Sequence, residues 1–240
     1  MRAFFVLIML SSVSLSAKLP EGTRTCHKSD PNFDVCLRDA MTDGMKRFAR
    51  GYKPLGVPVL DPIAITELTS DNGGFKQTYK DVKISALGDT KCTNLKIDWD
   101  KLEIDIETLT THSVLSADYS FKGQLLTFPI DSAGKCQIVM DDVTSLHHLT
   151  LERFQKNGKN YLRVLTWKLQ NKPKAVHYDF ENLVPGNEQL SKTILKTLND
   201  NAIEIFAELG STFEEAYGEV HKSVANKVFE KIPENDIFLP

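Results

Sequence analysis

The feature that most constrains the fold is a change in the spacing of apolar residues part-way along the chain. From Ile63 to Leu183 apolar and polar residues largely alternate. Alternation is typical of strands that bury one face and expose the other to water. From Asn187 onward the spacing changes to three or four residues, which is typical of an amphipathic helix. The sequence therefore predicts an α+β fold with an antiparallel sheet and a long C-terminal helix.

The predicted strands are separated by turn signals. The alternation is clearest in four sets: Leu115, Ala117, Tyr119 and Phe121; Leu126, Phe128 and Ile130; Leu165, Trp167 and Leu169; and Val176, Tyr178 and Phe180. Turns are predicted at Asp71–Gly74, Ser132–Gly134 and Lys156–Lys159. Around Trp99–Leu102 the apolar positions pass from odd to even numbers, which predicts a bulge that bends the sheet. A long, bent, one-sided sheet is expected to wrap around another element.

The C-terminal stripe supplies that element. It predicts one helix from Asn187 to Ile232, about 70 Å long at 1.5 Å per residue. The helix is bounded by Pro185 and Pro233, and glycines at positions 210 and 218 are expected to mark a bend or the close approach of another backbone. The stripe is not a strict heptad, so a helix cradled by the sheet is favoured over a coiled-coil dimer, and we expect a monomer.

A second, shorter helix is predicted near the N-terminus. Apolar residues fall at helical spacing from Pro31 to Arg50, with Asp30 as the expected cap and Gly51 as the expected stop. The segment from Gly51 to Pro62 is rich in glycine and proline, so it predicts an extended connector.

The first residues are typical of a secretory signal peptide. A basic Arg2 precedes an apolar run from Ala3 to Leu10, and small residues follow as far as Ala17. The apolar run is too short to cross a bilayer as a helix. We therefore expect cleavage near residue 17, a single domain over residues 18–240, and a secreted, extracellular protein without stable membrane insertion. A formal net charge of −3 gives no electrostatic reason to expect nucleic acid as a partner.

The chain has four cysteines, and an even number in an exported protein favours disulfides. Cys26 and Cys36 enclose a short polar loop and are the favoured pair. Cys92 and Cys136 then remain. They either form a second bridge or stay unpaired as small buried residues.

Motifs for catalysis, metal binding and cofactor binding are not found in the sequence. His147 and His148 are neighbours on a predicted strand, so their side chains point to opposite faces and cannot chelate one ion. The same argument applies to Asp141 and Asp142 as a catalytic pair. We therefore expect no enzymatic activity, no cofactor and no metal.

What the pattern does offer is an apolar interior between the sheet and the helix. An elongated space of this kind suits a small hydrophobic ligand, with a few polar groups at one end setting specificity. The periodicity selects as candidate ligand-binding residues Trp99, Phe128, Trp167 and Phe180 from the sheet and Leu198, Ile205, Phe206, Phe213 and Tyr217 from the helix. Each of them fits an ordinary core equally well.

At five segments the chain resembles the insect takeout and haemolymph juvenile hormone-binding protein family. The matching segments are the cysteine loop Cys26–Leu37, the connector Gly51–Ile63, Tyr119–Leu126, Phe180–Leu183, and the C-terminal stretch from Val224 to Phe229 with Ile232 and Pro233. Together they follow the family's order along the whole mature chain.

The resemblance implies a tubular lipid-binding fold, in which a strongly curved antiparallel sheet wraps around the long helix. It also implies a haemolymph carrier of juvenile hormone or of another long apolar molecule, with a Cys26–Cys36 bridge. The haemolymph carriers tie the long helix to the sheet with a later cysteine pair. Here no cysteine follows Cys136, which favours a takeout-like carrier over a juvenile hormone transporter.

Two other functions compete with the carrier hypothesis. A secreted interaction protein would recognise a receptor or a microbial lipid through its surface, and would need a clustered basic or exposed apolar patch. An enzyme acting on a juvenile hormone-like ester would need a nucleophile and a base, for which the sequence shows no motif.

Overall fold

The computed structural model of the protein describes residues 17–72, 74–125 and 128–240. The predicted signal peptide lies outside these residues except for Ala17, as do Leu126 of the predicted alternation and Gly73 of a predicted turn. The described residues form an α+β fold with an antiparallel sheet and a helical layer, so the predicted fold class is confirmed.

Most of the described chain between residues 63 and 180 is in strands. The strands of the described residues are β1 (Cys26–His27), β2 (Ile63–Asn72), β3 (Phe75–Ser85), β4 (Thr90–Asp98), β5 (Glu103–Leu125), β6 (Phe128–Lys156), β7 (Lys159–Lys172), β8 (Ala175–Phe180) and β9 (Phe238–Leu239). The large sheet has the order β2-β3-β5-β6-β7, with β4 also paired to β5 and β8 also paired to β6. β1 and β9 pair with each other in parallel and join the two ends of the described chain.

The helices come from the two ends of the described chain. They are α1 (Phe33–Phe48), α2 (Glu188–Asp200), α3 (Ala202–Leu209), α4 (Ser211–Phe229) and α5 (Glu234–Ile237). α4 packs against both β7 and β2, the strands at opposite ends of the main sheet order. The sheet therefore curls into a half-barrel around this helical layer.

The long hairpin of β5 and β6 is the spine of the sheet. These strands have 23 and 29 residues, and the longer one would span about 95 Å if it were straight. Near the middle of the hairpin the inward-facing positions of β5 change from odd numbers, as at Leu115, to even numbers, as at Thr110. Those of β6 change from even numbers, as at Ile138, to odd numbers, as at Val143. Asp142 lies at this point with a φ of 49°. The parity change bends the hairpin without shifting its register.

Two predicted details of the sheet are wrong. Trp99–Leu102 is not a bulge but the turn between β4 and β5, where Asp98 Oδ1 accepts hydrogen bonds from the amides of Asp100 and Lys101. The predicted turn at Ser132–Gly134 lies inside β6. A Cβ at Gly134 would come within 2.6 Å of the carbonyl oxygen of Glu181, so a close backbone approach is what requires this glycine.

Leu165 also departs from the predicted alternation. Its side chain is 46% exposed, whereas Leu162 and Val164 are buried. The register between β6 and β7 shifts here, because Thr150 pairs with Thr166 but Leu151 pairs with Val164. Leu165 is the extra residue of this bulge and points away from the core.

The predicted single C-terminal helix is three consecutive helices. The break between α2 and α3 occurs at Asn201, whose dihedral angles (φ −123°, ψ 31°) are not helical. The break between α3 and α4 occurs at Gly210, where the predicted bend lies and where a Cβ would come within 2.6 Å of the Phe206 carbonyl oxygen.

Asparagine side chains attach these helices to edge strands. Asn199 of α2 accepts from the Tyr178 amide at 2.8 Å and donates to the Tyr178 carbonyl at 2.9 Å. Asn226 of α4 makes the same pair of bonds to Val164 of β7, at 2.7 and 3.1 Å. Each side chain takes the place of a neighbouring strand, so the backbone groups of the edge are satisfied.

The N-terminal helix is shorter than predicted. α1 begins at Phe33 with Asn32 as its N-cap, and Asp30 accepts from the Asn32 amide in the preceding turn instead of capping the helix. Gly51 follows the end of the helix with a φ of 78° and donates to the Phe48 carbonyl.

At Gly218 the backbones of α4 and β7 come close together, since a Cβ there would lie 2.9 Å from the Trp167 carbonyl oxygen. Gly218→Ala is therefore expected to destabilise the fold by about 1–3 kcal/mol despite the gain in helix propensity. Gly44→Ala in α1 is the matched control, because a Cβ there meets nothing within 4 Å and should stabilise by about 0.5–1 kcal/mol. Urea unfolding of both variants measures the difference, and equal effects would contradict the close-approach argument.

Candidate functional site

The concave face of the half-barrel and the covering helices enclose a cavity. It holds about 1000 Å³ of space between atoms, a volume that includes open solvent at its mouth. Its wall is formed by Phe75, Gln77, Tyr79, Ile84, Ala86, Thr110, Ser113, Leu115, Phe121, Ile138, Met140, Val143, Ser145, Asn171, Tyr178, Phe180, Leu198, Ile205, Phe206, Leu209, Gly210, Phe213 and Tyr217. We call this space the main cavity.

One end of the main cavity is aromatic. Phe121 lies within 5.1–5.7 Å, centroid to centroid, of Phe75, Tyr79 and Phe180, and Phe213 of α4 packs edge-on to Tyr79 at 4.8 Å. Rings from three strands and one helix therefore form a continuous apolar surface. Such edge-to-face and tilted pairs fix the rings relative to one another.

Gln77 is a buried amide in this aromatic wall. Its Oε1 accepts a hydrogen bond from the Tyr79 hydroxyl at 3.0 Å, and its Nε2 has no partner within the part of the chain that the structure describes. An amide donor left unpaired in an apolar site costs about 1–3 kcal/mol. Gln77 is thus a polar point within an otherwise apolar end of the cavity.

A second, smaller cavity adjoins the main one. It has about 450 Å³ of space between atoms and is lined by Met41, Met45, Leu87, Thr90, Ile106, Thr108, Thr110, Ser145, His147, Trp167, Tyr217 and His221. Thr110, Ser145 and Tyr217 line both cavities. We call the second space the histidine annex.

Two neutral histidines dominate the annex. His147 is 8% exposed, and its burial, together with the neighbouring His221, lowers its pKa to about 3. Burial likewise lowers the pKa of His221, against the opposing effect of its hydrogen bond to the Tyr217 carbonyl. Both rings are therefore uncharged at neutral pH. The annex is polar but carries no histidine charge.

The structure brings together most, but not all, of the candidate residues chosen from periodicity. Six line the main cavity: Phe180, Leu198, Ile205, Phe206, Phe213 and Tyr217. Trp167 lines the annex. Phe128 packs against the core beside the cavity. Trp99 lies edge-on to Phe238 and beneath the Lys28 ammonium, and it lines neither of the two cavities.

Sequence reasoning missed the polar wall. Gln77 shares the odd-numbered face of β3 with Phe75 and Tyr79, so the alternation could have placed it inside. His221 follows Tyr217 by four residues on α4, which places both on one helix face. A polar residue at an apolar position of a periodic pattern is the signal that could have identified both.

All four cysteines lie in the described ranges. Cys26 and Cys36 form a disulfide, whereas Cys92 and Cys136 are unpaired and buried, so the second bridge considered above does not form. Cys92 lies on β4 and Cys136 on β6. Burial raises the pKa of Cys92 to about 11 and that of Cys136 to about 12, so both remain thiols.

The adjacent histidines and aspartates of β6 lie at different places. His148 points outward and its Nδ1 lies 2.8 Å from Asp105, away from the annex that holds His147. Asp141 lies 2.7 Å from His112 and Asp142 pairs with Lys174. Within the described residues no cluster of three or more His, Cys, Asp or Glu could hold a metal ion.

Comparison with known proteins identifies the family. The family model of haemolymph juvenile hormone binding protein (JHBP) matches residues 4–239. The chain belongs to this family. The resemblance of the cysteine loop and the connector is thereby confirmed, and the family is one of hydrophobic-ligand carriers rather than of enzymes.

Individual relatives are distant in sequence but cover nearly the whole chain. The circadian clock-controlled protein daywake of Drosophila melanogaster is 25% identical over 238 residues, covering 94% of this chain and 90% of its own. A candidate beta-carotene-binding protein of Schistocerca gregaria is 21% identical, covering 90% of this chain and 88% of its own. The crystal structure of Epiphyas postvittana Takeout 1 superposes with a TM-score of 0.84 at 22% identity, covering 90% of this chain and 100% of that one.

Among the helices of the described residues, none is both long enough and apolar enough to cross a membrane.

Burial of neutral His147 makes stability depend on pH. The unfolded chain takes up a proton near pH 6.5 and the folded chain near pH 3, so stability is complete above pH 6.5 and falls as the pH drops toward 3. At pH 4.5 the loss is about 3 kcal/mol relative to neutral pH.

Urea unfolding at pH 7.0 and 4.5 measures this loss of stability. His147→Gln should lose less stability on acidification, whereas His148→Gln should behave as wild type, and equal losses in both variants would contradict this assignment.

Proposed function

We propose that the protein is a secreted, extracellular carrier that reversibly binds a small hydrophobic ligand, a juvenile hormone-like terpenoid or a long-chain lipid, in the main cavity. The observation that supports this most is the apolar space enclosed between the curled sheet and α2–α4. Burial of about 300 Å² of apolar ligand surface there would contribute about 7 kcal/mol at 25 cal/mol per Å². Costs of immobilisation reduce that figure.

The shape of the cavity supports a long ligand. Its wall extends along β5 from Phe121 to Thr110, a stretch that would span at most about 36 Å if the strand were straight. The name of the Schistocerca gregaria relative gives beta-carotene, a long apolar molecule, as its ligand. The absence of any cysteine after Cys136 supports a takeout-like carrier over a juvenile hormone transporter.

The chemistry of the wall supports binding without a covalent step. Ser145 is a hydroxyl that faces both cavities, and it donates to Asn171 Oδ1 at 2.6 Å. An amide oxygen is not a base that could activate it. His147, two residues along the same strand, has its ring nitrogens near Trp167 and Thr108 instead.

Native mass spectrometry of the protein secreted from insect cells tests the proposal. The expected result is a mature chain that starts near Lys18, a monomer, and an adduct of a few hundred daltons that is lost on organic extraction. A chain that is retained in the cells with residues 1–17 intact would contradict secretion. An extracted chain that takes up neither juvenile hormone nor long-chain lipids would contradict the carrier function.

Phe206 supplies the matched mutational test. Its side chain lines the main cavity from α3, whereas Ile203 of the same helix is 41% exposed. Phe206→Trp should fill the cavity and weaken binding of a long-chain ligand at least about tenfold, the loss expected when roughly 60 Å² of contact is removed. Ile203→Trp should bind as wild type. Unchanged affinity of a folded Phe206→Trp variant, measured by titration with the ligand that native mass spectrometry identifies, would place the ligand elsewhere.

A further inference from the structure

The histidine annex adjoins the main cavity, and the partners of its polar groups show which atoms donate a hydrogen bond and which accept one. Tyr217, Thr110 and Ser145 line both spaces. A long ligand in the main cavity therefore has one end beside the annex. What that end can be depends on which annex atoms still offer a hydrogen and which offer a lone pair.

The protonation of His147 follows from its neighbours. The indole nitrogen of Trp167 can only donate, and it lies 3.1 Å from His147 Nδ1. Nδ1 is therefore the unprotonated nitrogen of this neutral ring, and Nε2 carries the hydrogen. Nε2 points to Thr108 Oγ1 at 3.4 Å. Both ring nitrogens of His147 are thus used within the protein.

His221 differs, because one of its nitrogens is left over. Its Nδ1 lies 2.8 Å from the Tyr217 carbonyl oxygen, and a carbonyl can only accept, so Nδ1 carries the hydrogen. Nε2 of the neutral ring is then a lone-pair acceptor. It has no hydrogen-bond partner among the residues that the structure describes. The ring lines the annex and is half-buried, so this nitrogen is available to a molecule in the cavity.

The hydroxyl hydrogens of the annex are mostly engaged. Thr90 donates to the Ala86 carbonyl at 2.8 Å, so in the 2.7 Å contact between Thr90 and Thr110 the hydrogen belongs to Thr110. Ser145 donates to Asn171. The hydroxyl hydrogens of Thr108 and Tyr217 take no part in these hydrogen bonds. Among the ring nitrogens of the annex, His221 Nε2 is the acceptor that these hydrogen bonds leave free.

We propose that the ligand carries an alcohol hydroxyl at one end of its apolar body, and that this hydroxyl lies in the annex and donates to His221 Nε2. The inference rests on the proposed carrier function and names the head group of the ligand. A hydroxyl both donates and accepts, so its oxygen also serves the remaining donors. An ether or ester oxygen cannot donate and leaves Nε2 unpaired. A carboxylate only accepts and brings a charge into a site that has no described cation lining it.

Competition binding with three chain-matched probes tests the head group. Dodecan-1-ol, 1-methoxydodecane and dodecanoate are titrated at pH 7.5 against the wild-type protein loaded with N-phenyl-1-naphthylamine, a neutral fluorescent reporter. The alcohol should bind at least about fivefold more tightly than the ether, although the ether is larger and more apolar, since one hydrogen bond is worth about 1 kcal/mol. Dodecanoate should bind more weakly than the alcohol.

The variant His221→Phe assigns the preference to one nitrogen. It should bring the alcohol to within about twofold of the ether, and the readout is the ratio of the two affinities measured in the same variant. His148→Phe, on the outer face of the sheet, is the control and should keep the wild-type preference. The comparison of alcohol with ether in the wild-type protein needs no variant, so the inference can fail even where His221→Phe does not fold.

The possible failures are distinguishable. Equal affinity for alcohol and ether in the wild-type protein would overturn the head-group inference and leave the carrier function standing. A preference that persists in folded His221→Phe would overturn the role of His221. If the protein binds the reporter but none of the three probes displaces it, the head-group inference falls and the carrier function stands. If it takes up neither the reporter nor any probe, the carrier function falls and the inference falls with it.

Discussion

Contact of one helix with both ends of the sheet governs the rest of the structure. α4 packs on β7 and on β2, so the sheet has to curl until its first and last strands reach the same helix. A half-barrel of this width has a concave face larger than one helix can fill, because helices pack at distances of about 8–10 Å. The main cavity lies between the concave face of the sheet and side chains from α2, α3 and α4, all three of which contribute to its wall. The cavity is therefore a consequence of how the sheet curls around α4.

The polar groups inside this shell are arranged so that the interior stays neutral. The imidazoles of His147 and His221 are uncharged, and the hydroxyls of Ser145 and Thr110 donate to protein atoms. A buried charge would favour water and oppose an apolar ligand. Neutral, internally paired groups instead let the apolar wall determine affinity, and His221 Nε2 is the unpaired atom to which we assign the choice of head group.

The local sequence pattern predicted which face of a strand or helix a residue occupies. It predicted less well how deeply the residue is buried and where along the half-barrel it lies. The odd-numbered face of β5 and the stripe of the C-terminal helices were predictable, because strand and helix periods are local properties. The outward turn of Leu165 was not, since its bulge exists only relative to the register of β6. The position of Trp99 was not predictable for a similar reason. Its apolar neighbours place it on the inner face, but only the closure of the tube puts it next to Phe238, away from the cavity.

The way the helices are attached explains why the cavity lies beneath α3. α2 is held to β8 by Asn199, and α4 is held to β7 by Asn226 and by Glu214, which accepts from the Asn171 amide. Among the described hydrogen bonds to the sheet, α3 contributes the Ala202 carbonyl, which accepts from the Tyr178 hydroxyl. The breaks at Asn201 and Gly210 separate this segment from its anchored neighbours. Since the Cys26–Cys36 disulfide joins α1 to β1 and the other two cysteines are unpaired, the packing of apolar side chains such as Ile205 and Phe206 is what holds α3 over the cavity. The same side chains would contact a ligand there, so ligand binding and the attachment of α3 depend on one set of contacts.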